Sequence, residues 1–116
     1  MTLHRAPSRR LWRLHTKLSV EQGSPVLFVE GRLGHAAAAA LASATAQLPA
    51  GAANIVIDLA GVDYLSSGAL TILAALDDRQ AQQGGRLVLR APTVAARLAL
   101  ELSGLLGLVD SAAADH

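Results

Sequence analysis

The run Asn54-Ile55-Val56-Ile57-Asp58-Leu59-Ala60-Gly61-Val62-Asp63-Tyr64-Leu65-Ser66-Ser67-Gly68-Ala69-Leu70 decides how this chain is read. Ala53 to Leu59 has the apolar character of a central strand covered on both faces. A short loop is expected next, and then two adjacent serines open a helix from Ser67 to Gln83, stopped by Gly84-Gly85. Hydroxyls placed there meet the unpaired N–H groups and the positive end of a helix. No base, metal ligand or second catalytic group accompanies them in the sequence. The arrangement suggests a switch or docking site more than an active site. On spacing alone, Ser66 or Ser67 is a helix cap, accepting a backbone N–H bond worth about 1 kcal/mol.

Working outward, the elements alternate. Leu14 to Glu21 alternates apolar and polar residues, as a half-buried strand does. Gln22-Gly23-Ser24-Pro25 is a turn, and Val26 to Leu33 returns as the second strand of a hairpin. Ala36 to Leu48 is an Ala-rich helix, with Gly34 as an acceptable N-cap, ended by Pro49-Ala50-Gly51. Beyond the serine helix, Arg86 to Arg90 is a strand. Thr93 caps a helix running to Ser103, and Gly104 stops it. Leu105 to Val109 reads as a last short strand or a helical turn. This ββαβαβα order predicts an α/β fold with a mixed sheet of four to five strands and helices packed mainly on one side. The serine helix carries Ala69, Leu70, Ile72, Leu73, Ala74, Ala75 and Leu76, more apolar surface than one stripe needs. The surplus either meets a partner or packs on the Ala-rich helix. Asp77 to Gln83 is polar, so the far end is expected to be solvated.

Composition narrows the class. A chain of 116 residues is one domain with one core. It is 52% hydrophobic but only 3% aromatic, so Ala, Leu, Val and Ile build that core. The absence of cysteine excludes disulfides, thiolate zinc sites and Cys catalysis. No secretory signal is visible, and a cytoplasmic protein without a transmembrane segment is expected. The net charge of +1 hides an asymmetry. Arg5, Arg9, Arg10, Arg13 and Lys17 lie in the first 17 positions without an acid, whereas five Arg face nine acids from Leu18 onward. Residues 1–13 read as a flexible basic arm, 14–110 as the domain and 111–116 as a frayed tail. With Leu11, Trp12 and Leu14, the arm also fits contact with an acidic partner or a membrane surface. One aromatic in the arm and an acidic body argue against direct nucleic-acid binding.

Catalytic and metal chemistry find little support. Ser66-Ser67-Gly68 lacks the flanking glycines of a nucleophile elbow. His4, His15, His35 and His116 show no metal-ligand spacing, and His35 reads as a surface residue opening the Ala-rich helix. Asp77-Asp78 diverge by about 100° on a helix. No Lys-Ser/Thr follows Gly84-Gly85, so it is no phosphate loop. No enzyme activity, cofactor or metal is expected.

Asp58-Leu59-Ala60-Gly61-Val62-Asp63-Tyr64-Leu65-Ser66-Ser67-Gly68-Ala69-Leu70 resembles the signature of STAS domains, the anti-sigma factor antagonists and their relatives. Val26 to Leu33, with its Gly31-Arg32-Leu33 ending, is similar to the family's second strand. Gly85 to Leu89 is similar to the strand after the switch helix. Val94 to Leu106, with Leu102-Ser103-Gly104-Leu105, is similar to the later helix and its exit. The resemblance runs from about Leu18 to Val109 and implies a single STAS-like domain. Ser67 falls on the phosphoacceptor of regulated members, with Ser66 as the alternative, where the family also uses Asp. Alanine stands at Ala69 where the family has glycine, and glycine comes one position early at Gly68, which implies a different turn. A family acid is replaced by Gly34.

Three functions follow from the resemblance. The first is an anti-sigma factor antagonist that binds an anti-sigma factor/serine kinase until Ser67 is phosphorylated, thereby regulating transcription. Its contact surface would comprise Ser66, Ser67, Gly68 and Leu70, with Tyr64 and Asp63 beside them. Asp63 is otherwise a solvated loop carboxylate. The second is a STAS subunit docked constitutively in a lipid-transport ABC complex or a stress-signalling scaffold, with other STAS or transporter subunits as partners. The third is a nucleotide-binding sensor. A monomer or weak dimer fits all three. A phosphate at a helix N-terminus, about −1.5 to −2 in charge, is tolerated there, so phosphorylation should block a partner rather than unfold the domain.

Overall fold

Side-chain alternation in the strands decides which face of the sheet is covered. In the computed structural model, which describes residues 14–34, 37–49 and 51–110, the elements are β1 (His15–Glu21), β2 (Ser24–Leu33), α1 (Ala38–Ala46), β3 (Asn54–Leu65), α2 (Ser67–Gln82), β4 (Arg86–Arg90) and α3 (Val94–Leu102). The sheet order is β1-β2-β3-β4. β1 and β2 pair antiparallel, while β2–β3 and β3–β4 are parallel. This is the mixed α/β sheet the sequence predicts. The basic arm and the tail, with His35 and Ala36, lie outside the described residues.

The hairpin joining β1 to β2 turns on Gln22 and Gly23, at φ 53° and 84°. Two left-handed residues in a row match the twist of the flanking strands. Gly23 adopts that conformation freely; Gln22 is strained there. At the other edge, a 3₁₀ turn at Leu106–Leu108 leads into Val109, which bridges Leu89 in parallel. Both readings of that segment, helical turn and short strand, are therefore realised in succession.

Leu27, Val29, Ile55, Ile57, Leu59, Leu87 and Leu89 form one buried layer with Leu41, Leu73, Leu76, Ala96 and Leu100 from the three helices. Full burial of one such Leu or Ile is worth about 2 kcal/mol, so this layer is the main stabilising term. The opposite face of β3 is not covered in the same way. Val56 and Asp58 are only half-buried, which corrects the expectation of a strand hidden on both sides. On that face Arg90 donates to Asp58 Oδ2 and to Glu21 Oε1, each at 2.9 Å. Its guanidinium also lies 5.4 Å from the Phe28 ring centroid. The hydrogen bonds to Glu21 and then Asp58 hold Arg90 above its ordinary pKa. One side chain thus links β4 to β3 and β1.

β3 also runs further than the sequence suggests. It continues through Leu65, where a loop was expected after Leu59. The register shifts twice against β2, between Phe28 and Glu30 and between Gly31 and Arg32, each shift adding one residue to β3. Each bulge resets the alternation. The buried positions consequently fall at Ile55, Ile57, Leu59, Val62 and Leu65, a spacing that reads as irregular when a strict period of two is sought. At the first bulge Asp58 Oδ1 accepts the Ala60 N–H at 2.9 Å. The polar end of β3 is therefore strand, and it leads directly into the serines.

Candidate functional site

The site is built where β3 ends and α2 begins. The Ser66 N–H donates to the Leu33 carbonyl at 2.8 Å, fixing the exit of β3 to the end of β2. Ser66 is extended, at φ −79° and ψ 167°, and is the N-cap of α2. Its Oγ accepts the Ala69 N–H at 3.2 Å, one of the otherwise unpaired donors of the first turn. Ser66 is 9% exposed. The cap is thus Ser66 rather than Ser67.

Ser67 is the first helical residue and is exposed. Its carbonyl accepts Thr71 Oγ1 at 3.0 Å, and its own hydroxyl makes no hydrogen bond among the described residues. The two serines therefore do different work: one is spent on the helix, and the other faces outward. The first turn of α2 holds no acid, so no carboxylate within it offsets the positive end of the helix dipole.

The expected change of turn at Gly68 and Ala69 does not occur. Both are helical residues of α2, and Gly68 is not among the positive-φ glycines. Gly68 instead faces α1: a Cβ placed there would lie 3.4 Å from Ala38 Cβ. Ala69 is fully buried. The small residues let the two helices approach. Much of the surplus apolar surface of α2 is absorbed in this way, with Leu70 and Ile72 half-buried against the core. α1 itself has no side-chain cap; its N-cap is Ala37, not Gly34, whose carbonyl accepts the Ala37 N–H at 3.1 Å.

The remaining predicted residues sit around Ser67 at the same end. Tyr64 is exposed, and Arg32, its register neighbour on β2, stacks 4.2 Å from the ring centroid. Asp63 is exposed at the second bulge. Thr93 caps α3 through the Ala96 N–H at 3.2 Å, and its Oγ1 donates to the Val62 carbonyl at 2.7 Å. One hydroxyl therefore ties α3 to the strand that carries the site. Arg32 and Thr93 were not singled out as site residues; the Gly31-Arg32-Leu33 ending and the cap position were the available signals.

Among the described residues, concavities of about 520 and 560 Å³ lie away from the serines, and neither is lined by Ser66 or Ser67. Among the described residues no cluster of three or more His, Asp or Glu could hold a metal. No described helix is long and apolar enough to cross a membrane.

Comparison with known proteins places the fold. The family model described as "Mlab, STAS domain" matches residues 16–110. An anti-sigma factor antagonist from Mycobacterium paratuberculosis is 31% identical, with 79% of each chain covered and a TM-score of 0.72. The chain belongs to the STAS domain family. The anti-sigma factor antagonist SpoIIAA shares its fold: the unphosphorylated form is 20% identical over 83% of this chain and 86% of its own, at a TM-score of 0.67. The phosphorylated form, from Bacillus, is 18% identical over 83% and 89%, at 0.65. A region of the murine anion transporter Slc26a9 also shares the fold, at 13% identity and a TM-score of 0.64, covering 84% of this chain and 20% of that one. A search of curated proteins found no match.

Proposed function

We propose that this protein is an anti-sigma factor antagonist whose binding to an anti-sigma factor/serine kinase is switched off by phosphorylation of Ser67. The observation that carries the reading is the division between the two serines. Ser66 is buried and committed to the Ala69 N–H, whereas Ser67 is exposed beside it at the first turn of α2. A kinase reaches only the second. The phosphate would sit at a helix pole that already lacks negative charge, so the domain keeps its fold. The partner would lose a neutral, small-residue surface formed by Ser67, Gly68 and the exposed part of Leu70, flanked by Tyr64 and Asp63. The similarity to antagonists, one at 31% identity, supports this class. The expected setting is the bacterial cytoplasm.

A second reading follows from the "Mlab" description of the matching family: a subunit docked permanently in a lipid-transport complex through the same helix end. The two readings separate in one binding experiment. The wild-type chain, Ser67→Ala and Ser67→Asp are each immobilised and offered extract of the native cells, with bound proteins identified by mass spectrometry. The switch reading expects a serine-kinase-type protein on the first two and its loss from Ser67→Asp. A transporter ATPase retained equally by all three sinks it and supports permanent docking. A nucleotide-sensor role has no observation in its favour.

A further inference from the structure

The outer face of α3 carries apolar surface that the domain does not use. Val94, Leu98 and Leu102 are 88%, 55% and 79% exposed. Their spacing of four residues lines them along one side of the helix. α3 reaches the core from the opposite side, through Ala96 and Leu100, both fully buried. Single exposed apolar residues are ordinary, but three in line on a nine-residue helix form a continuous patch of the kind that marks an interface. Arg97 and Glu101 lie on one flank of the stripe, one turn apart. Neither forms an ion pair or hydrogen bond among the described residues.

We propose that this stripe joins two copies of the chain, paired antiparallel about a two-fold axis at Leu98. At 100° per residue, Val94 and Leu102 lie about 40° to either side of Leu98. Antiparallel pairing then sets Val94 against Leu102 of the second copy and Leu98 against its own counterpart. Arg97 and Glu101 lie about 100° and 60° from Leu98, both on the same side. The two-fold axis keeps that flank together and reverses its direction, so Arg97 of each copy meets Glu101 of the other. A flank with one charge of each sign suits neither an acidic nor a basic partner. It is complementary to itself, as an isologous contact requires. A helix of this length offers a contact at the small end of specific interfaces, so the dimer is weak, with a dissociation constant on the order of 0.1 mM.

Sedimentation equilibrium on the full chain between about 10 µM and about 1 mM tests this. The average mass should climb from monomer toward dimer across that range. Leu98→Asp, at an exposed position with unchanged circular dichroism, should stay monomeric throughout. Arg97→Glu and Glu101→Arg should each weaken association about fivefold, because two exposed pairs are lost together. Combining both reversals should restore it. A wild-type chain that stays monomeric at the highest concentration overturns the proposal. So does a dimer indifferent to Leu98→Asp, or a double reversal that fails to recover association.

Discussion

At one end of α2, Ser66 and Ser67 stand side by side; at the other, Gln80 lies four residues before Gly84-Gly85. Both ends are polar in the sequence, and solvent access separates them. Gln80 is fully buried. Its Nε2 donates to the Ala52 and Ala53 carbonyls, each at 2.8 Å, while the Gly85 N–H donates to the Gln80 carbonyl at 2.8 Å. The Ala53 carbonyl also accepts the Arg86 N–H at 3.0 Å. This end ties the helix to the starts of β3 and β4, which corrects the expectation that Asp77 to Gln83 is wholly solvated. The N-terminal end keeps one hydroxyl inside and presents the other. A polar residue at a helix end stabilises the fold where water is excluded and is free for recognition where it is not.

The sharpest way to break the buried end is Gly85→Ala. A Cβ there would overlap the Ala53 carbonyl, a backbone group that cannot step aside. Urea unfolding should show a loss of about 3 kcal/mol or more. Gln80→Ala should come next, at about 2 kcal/mol by the same measurement. It strips the Ala52 carbonyl of its Gln80 donor and leaves a cavity, and the loss is moderated because Gln80 Oε1 is itself buried with no hydrogen-bond partner among the described residues. Ser66→Ala removes the cap of α2 and should cost about 1 kcal/mol. Ser67→Asp should change stability least: thermal unfolding should move upward by an amount equivalent to about 0.5 kcal/mol, since the carboxylate meets the helix dipole, and that gain should shrink in high salt. If Ser67→Asp instead destabilised as much as Ser66→Ala, the contrast between the neighbouring serines would be wrong.

The order of elements was legible because several are bounded by residues with a physical reason to stop or start them. Gly84-Gly85 ends α2, and Thr93 opens α3. The extent of β3 was not legible, because two bulges break the period of two that identifies a strand. Asp58, beside the first bulge, also pairs with Arg90, 32 residues away, a contact that the hydrophobic pattern does not reveal. Gln80 escaped for a similar reason: its partners are 28 and 27 residues away, and a lone amide near a helix end has no local mark of burial. The pair Ser66-Ser67 stands out in the sequence, but which serine caps depends on where the strand stops. That single-residue boundary is set by the Ser66 bond to Leu33, not by anything in the pair itself.

Phosphopeptide mapping of the protein isolated from its native cells, in growth and under stress, tests the central claim most directly. The account predicts phosphate on Ser67 in one of those states and none on Ser66. Phosphate on Ser66, or an unmodified Ser67 in every state together with a Ser67→Asp variant that keeps its partner, would contradict it.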